Sequence, residues 1–236
     1  MKFRLGLVSV LFLVISTTGF ALDIPESSRS VKAISEASTR LKPQLESKNM
    51  ELGQPAFIRI FKREKELELW LENEEGFALF KTWPIAEFSG HPGPKTRQGD
   101  NQAPEGFYFV PPSQMNPWSS YHLSFNLGYP NRYDRAHGYT GSFLMVHGNS
   151  VSIGCYAMTD PVIEEIWTVM DAAYSSDQPF IRVHVFPFRM TQENMIQYGQ
   201  GRWYDFWANL KEGYDFFEIG GKVPNVNVRG SRYVFE

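Results

Sequence analysis

The chain carries a single cysteine, Cys155, among its 236 residues. One thiol excludes an internal disulfide and a cysteine-rich metal site. A basic excess is missing too. Lys and Arg total 23 against 26 Asp and Glu, a net charge of −3, which argues against nucleic acid as a partner. Beyond the N-terminal segment no apolar run is long enough to span a bilayer. Internal repeats and low-complexity tracts are absent as well. What is there suits a packed domain. Hydrophobic residues make up 42% and aromatics 15%, enough for a sizeable core in one main domain with additions.

Residues 1–21 read as a signal peptide. Lys2 and Arg4 make a positive start, Leu5 to Ile15 is apolar but short for a membrane span, and Gly19-Phe20-Ala21 offers small residues for cleavage. Cleavage removes two cations and takes the net charge from −3 to −5. The alternative is an uncleaved anchor. No cysteine stands at the cleavage point, so a lipid anchor is excluded. The mature chain is therefore expected in the periplasm, without stable membrane insertion. There an unpaired thiol is a liability unless it is buried or used.

Residues 22–53 form a polar helical arm. Ser27 or Ser28 caps it, Val31, Ile34, Leu41 and Leu45 give the apolar stripe, and Pro43 bends or ends it. From Gln54 the period becomes two. Phe57 to Phe61, Glu66 to Leu71 and Phe77 to Trp83 read as a three-stranded meander, with Gly106 to Val110 a further strand after a long loop. Asp160 caps and Pro161 opens a helix with Val162, Ile163, Ile166, Trp167, Met170 and Ala173 on its apolar face. Ile181 to Val185 is another strand, on which His184 reads as structural or surface. Residues 191–218 are helical and rich in aromatics, a packing element or a lid over a groove. Val223 to Phe235 adds an edge strand. The class is mixed α+β, mostly β over residues 54–190, with an N-terminal helical arm and a helical extension over 191–236.

The chemistry gathers between Met145 and Met158. The run Phe143 to Val146 reads as a strand that delivers His147 at its end, and Cys155 follows eight residues later. Gly148 and Gly154 bracket a loop able to bring the thiol beside the imidazole. An imidazolium next to a thiol favours the thiolate. The N–H groups of Gly154, Cys155 and Tyr156 could then face one oxygen of a tetrahedral intermediate. The plain alternative is a cysteine serving as a small buried hydrophobe. Zinc held by His137, His147 and Cys155 fits no usual spacing, so no metal is expected, and no cofactor.

His147-Gly148, then a loop, then Ser152-Ile153-Gly154-Cys155-Tyr156-Ala157 resembles the signature of the L,D-transpeptidase (YkuD-type) catalytic domain family, most closely its YafK-like branch. Pro104-Glu105-Gly106-Phe107 and Leu127-Gly128-Tyr129-Pro130 are similar to two further family segments. The resemblance implies that Cys155 is the nucleophile, that His147 is the base, and that the Gly148 carbonyl orients the imidazole. It departs from the commoner pattern at Ile153, where most members have a second histidine, and at Ala157, where most have an arginine. With no arginine there, Lys95, Arg97, Arg132 and Arg135 are the loop cations near the motif in sequence. Arg135, His137 and Ser152 are the candidates for holding substrate. The resemblance implies an exported enzyme acting on peptidoglycan stem peptides and possessing a thioester intermediate. Hydrolysis of a stem-peptide amide at diaminopimelate, or of the link to an attached lipoprotein, is the first expectation. Transpeptidation, forming 3-3 cross-links or attaching lipoprotein, is the second. An inactive wall-binding protein is the third.

Overall fold

The computed structural model describes residues 23–236; the signal segment expected over residues 1–21 lies outside them. The chain opens with helix α1 (Ser28–Glu46). Strands β1 (Ala56–Phe61), β2 (Glu66–Asn73) and β3 (Gly76–Pro84) follow as a meander. Next come β4 (Glu87–Phe88), β5 (Gly106–Val110), β6 (Met115–Asn116), β7 (Ser124–Asn126), the short helix α2 (Arg132–Ala136), β8 (Met145–His147) and β9 (Tyr156–Ala157). Helix α3 (Asp160–Ser175) leads to β10 (Ile181–Phe186), helices α4 (Gln192–Tyr198) and α5 (Tyr204–Gly220), and a closing hairpin of β11 (Val226–Arg229) and β12 (Arg232–Phe235). The architecture is mixed α+β.

Two five-stranded sheets divide the work. The first has the order β3-β2-β1-β10-β5, with β10 parallel to β1 and antiparallel to β5. The second, β4-β9-β8-β7-β6, is built from strands of two or three residues, and β8 and β9 in it are parallel neighbours. β1 is buried along its whole length because both of its faces are covered. One face carries Ile58 and Ile60 into the main core with Ile166 and Trp167 of α3. The other presents Phe57, Arg59 and Phe61 to α5, with Phe61, Phe107, Phe186, Trp207 and Tyr214 in a second aromatic core. On that face Arg59 is bonded to Glu68 at 2.7 and 2.9 Å and to Glu218, and its guanidinium lies over the rings of Trp70 and Phe217. A charge that deep survives only because it is paired. His184 is buried between Phe57 and Phe107, with ring centroids 4.7 Å from each, and is therefore structural.

Some local readings change, and the tail read as an edge strand over Val223 to Phe235 pairs with itself as the β11–β12 hairpin, outside both larger sheets. Helix α1 runs through Pro43 to Glu46: the proline sits in the last turn, where it removes one backbone hydrogen bond without ending the helix. Its buried face is Ala33, Ala37, Leu41 and Leu45, while Val31 points out, since small residues let α1 lie close on α3. Thr159, not Asp160, is the N-cap of α3, with φ 71° and no side-chain capping bond. Asp160 instead accepts from the Asn149 N–H at 2.7 Å. The aromatics of α5 are buried, Tyr214 and Phe217 against the first sheet, Phe206 on Tyr133 and Trp207 on Phe188, which fits the packing reading of this helix. Among the described residues no helix is long and apolar enough to cross a membrane.

Candidate active site

The second sheet brings the motif together. β8 and β9 pair in parallel with Val146 opposite Tyr156 and His147 opposite Ala157. Side chains alternate along strands, so His147, Ala157 and Cys155 share a face, while Val146 and Tyr156 point into the core. Cys155 stands directly before β9, two residues from Ala157, and so lies diagonal to His147 across the strand pair. The Met145 N–H donates to Sγ at 3.4 Å, and the thiol lies 3.7 Å from the Phe143 carbonyl. Phe143 holds φ 56°, a left-handed backbone that a bulky residue rarely adopts and that often marks functional sites.

His147 is only 2% exposed. Its Nδ1 lies 2.5 Å from the carbonyl oxygen of Gly148. A carbonyl can only accept, so Nδ1 carries the proton and the neutral ring keeps its free lone pair on Nε2. A backbone atom thus does the orienting that a carboxylate does elsewhere. Gly148 is glycine for steric reasons. A Cβ there would lie 2.6 Å from Asp160 Oδ1, 2.9 Å from the Tyr121 carbonyl and 3.0 Å from His122 Cβ. The Tyr121 ring covers the imidazole, with centroids 4.7 Å apart and planes inclined by 33°.

Burial sets the resting charge. It pushes the Cys155 thiol up, against the opposing pull of the Met145 N–H and the Lys95 charge. It pushes His147 down, against the Gly148 hydrogen bond that raises it. Both directions favour a neutral thiol beside a neutral imidazole, not the preformed thiolate that proximity alone suggests.

The loop between them has its own scaffold. Ser152 Oγ donates to the Cys155 carbonyl at 2.6 Å and so braces the turn. Ser89 Oγ donates to the Ser152 carbonyl at 3.1 Å and accepts the Gly154 N–H at 2.9 Å. That bond occupies the Gly154 amide and removes it from the oxyanion donors. Gly154 has φ 111°, open to glycine and strained for any other residue. The Cys155 N–H has no protein acceptor among the described residues. Tyr156 is wholly buried, with its hydroxyl on the Pro104 carbonyl at 2.8 Å. Ile153, two residues before the thiol, and Phe143, whose carbonyl the thiol faces, stand 83% and 75% exposed.

The cations fall differently from the sequence expectation. Arg135 bonds to the Pro130 carbonyl and lines a groove with Phe109, Leu127 and Val228. His137 sits against Tyr133, Nδ1 3.0 Å from its carbonyl and the rings 4.1 Å apart. Neither is among the groups found at the thiol. Lys95 is the cation felt there, and it is already paired with Asp100 at 2.6 Å. A second buried cation holds the same loop. Lys62 donates to the carbonyls of Gly93 (2.8 Å) and Ala103 (2.9 Å) and meets Glu105 at 3.0 Å, while Glu105 accepts from Gly93 N–H and Trp207 Nε1. Ala157 is fully buried. Among the described residues no cluster of three His, Cys, Asp or Glu side chains is arranged to hold a metal ion.

Tyr121, Ser89 and Lys62 were not singled out from sequence. Their roles depend on loops folding back from far along the chain, and no local spacing signals that.

The family described as the YkuD L,D-transpeptidase catalytic domain matches residues 55–185. The chain is 47% identical over 189 residues to a protein of Escherichia coli K12 named "Putative L,D-transpeptidase YafK", covering 80% of this chain and 77% of that one. Among solved structures it is similar to the helical cell shape determining protein Pgp2 of Campylobacter jejuni. A K307A mutant of Pgp2 gives a TM-score of 0.48 at 18% identity, over 81% of this chain and 66% of that one. The unmutated protein gives 0.46 at 14% identity, over 85% and 80%. The chain belongs to the YkuD L,D-transpeptidase catalytic domain family.

Proposed function

We propose that this protein is an exported, periplasmic cysteine enzyme that acts on peptidoglycan stem peptides through a thioester acyl-enzyme, and that it mainly hydrolyses. The observation that supports the reading is the parallel β8–β9 pairing, with His147 ending β8, Cys155 directly before β9, and His147 Nδ1 held by the Gly148 carbonyl. Since both groups rest neutral, His147 Nε2 takes the thiol proton as sulfur attacks the amide carbonyl. The Cys155 N–H, with Tyr156 beside it, faces the oxyanion. The imidazolium then returns its proton to the leaving amine. Water or an amine next attacks the thioester, and Cys155 is released as a thiol.

What attacks second decides between hydrolysis and cross-linking. A transpeptidase must hold an acceptor amine and its carboxylate. Ala157 is buried and uncharged, Lys95 is paired with Asp100, and Arg135 is engaged at the Pro130 carbonyl. A missing charge-assisted contact costs roughly 1.5–3 kcal/mol, about one to two decades of acceptor binding. Water needs no such contact. The family resemblance implies that the amide cleaved is a stem-peptide bond at diaminopimelate or the link to an attached lipoprotein. Transpeptidation is the second reading, favoured by the name of the E. coli relative. The intact Cys155 and His147 speak against an inactive wall-binding role. Labelled peptidoglycan incubated across a range of acceptor concentrations separates the two. Shortened stems or released lipoprotein should dominate throughout, and cross-linked product that rises past hydrolysis would make the protein a transpeptidase.

A further inference from the structure

The N-terminal arm carries no chemistry of its own, yet it reaches the candidate base. Helix α1 is docked on α3 by its alanine and leucine face. From its first turn Arg29 Nη1 donates to two carbonyls of one loop, Ser119 at 2.8 Å and His122 at 2.6 Å. Ser27 Oγ donates to a third, that of Pro117, at 3.1 Å. The loop's far end is tied as well. His122 Nε2 lies 3.0 Å from Glu164 Oε1 of α3, and Arg40 of α1 meets the other oxygen of that carboxylate at 3.0 Å. Between these anchors lies Tyr121. Its ring covers His147, and its carbonyl lies 2.9 Å from where a Cβ on Gly148 would stand, against the residue that orients the imidazole.

We propose that Arg29 is a positioning residue: from α1 it fixes the 117–122 loop so that Tyr121 covers His147 and presses on Gly148. Tyr121 is itself 44% exposed while His147 is almost wholly buried, so the tyrosine is the wall between the imidazole and water. Freeing the loop lets water reach the ring and loosens the backbone that holds Nδ1. The inference rests on the reading of His147 and Cys155 as the reacting pair, and the test keeps the two apart.

The titratable groups around His147 and its carbonyl anchor are Cys155, Tyr121, His122, Asp160 and, across Ala157 on β4, Glu87. Two readouts are taken on the full mature chain. One is the NMR titration of the His147 imidazole, assigned by its loss in His147→Ala. The other is the pH profile of Cys155 alkylation, with thermal midpoints recorded beside both. In Tyr121→Ala and Arg29→Ala the His147 midpoint should rise towards its ordinary ~6.5 as desolvation is lost, and the lower limb of alkylation should move the same way. Tyr121→Phe should titrate like the unaltered chain, because the ring is kept. Arg29→Lys should fall between, since one ammonium serves two carbonyls less well. A lower thermal midpoint in Arg29→Ala with an unmoved His147 titration would overturn the proposal and leave Arg29 merely structural. If His147→Ala leaves the alkylation profile unchanged, the catalytic pairing fails, and the NMR titration still decides whether Arg29 positions the ring.

Discussion

At the scale of single residues, the site is a set of steric and tautomeric constraints around two side chains. Gly148 shows how tight they are. An added methyl would meet Asp160 Oδ1, the Tyr121 carbonyl and His122 Cβ, all within 3.0 Å, and two of these belong to a loop that α1 holds in place. Gly148→Ala should therefore cost about 1–3 kcal/mol, the usual range for overpacking, and should slow Cys155 alkylation by displacing the carbonyl that fixes His147. Urea denaturation with a parallel alkylation rate checks this, and wild-type values for both would show that the site is looser than drawn. The role read for Gly148 came from the family resemblance, whereas His147 and Cys155 stood out in the sequence because they are close along the chain and suit acyl transfer. Tyr121 did not. It lies 26 residues before His147, and an exposed loop tyrosine carries no signal of what its ring covers. Arg135 and Ser152, read as candidates for holding substrate, each have a backbone partner in the structure. Sequence shows a donor's type but not whether the backbone has already taken it, as the Pro130 and Cys155 carbonyls have.

Among the elements, legibility followed length. β1, β2 and β3 run six to nine residues and show their period, whereas β6, β7 and β9 have two or three and cannot, and β8 showed only as an apolar run ahead of His147. β1 also hid a feature, because covering both faces buried Arg59 and placed Lys62 just past its end. Lys62 and Glu105 pin the 93–103 segment that carries Lys95. Burial drives the Lys62 pKa down and the Glu105 carboxylate pulls it back up. Lys62→Met leaves a buried carboxylate without its cation and should cost about 3–5 kcal/mol. Adding Glu105→Gln should recover part of that loss, because it removes the unpaired charge and the amide oxygen still accepts from the Gly93 N–H, although the amide NH2 then meets the Trp207 N–H. Urea midpoints of the single and double variants measure it, and equal losses in both would mean that charge is not the cause. Asp134 offers a pH test on α2. It reciprocates the Asn131 cap there, and burial pushes its carboxyl up to about 7, although the Asn131 N–H and the Tyr108 hydroxyl hold it down. The folded state binds its proton more tightly than the unfolded chain, whose Asp titrates near ~3.9. Its stabilising contribution is thus complete below about pH 4 and is lost as pH rises through about 7. The stability of the native chain minus that of Asp134→Asn should fall by on the order of 2–4 kcal/mol between those limits. A flat difference would show that the hydrogen bonds outweigh burial.

For the whole molecule, the first sheet and its two cores form the base, and the thin second sheet displays the reacting groups. The aromatic extension over 191–236, which the sequence left open as packing or lid, serves that base: α5 covers β1 and gives Trp207 to Glu105. Both sheets thereby bear on one loop and one thiol. Since Cys155 is the sole cysteine, the chemistry can be followed on the protein itself. The mature chain is incubated with purified sacculi, quenched in acid and weighed intact, with the adduct mapped by peptide digestion. The account predicts a stem-peptide mass on Cys155, accumulated when the second attack is slowed at low pH and missing from Cys155→Ala, which should also release no products. Stem-peptide cleavage or transfer that continues in Cys155→Ala would contradict it.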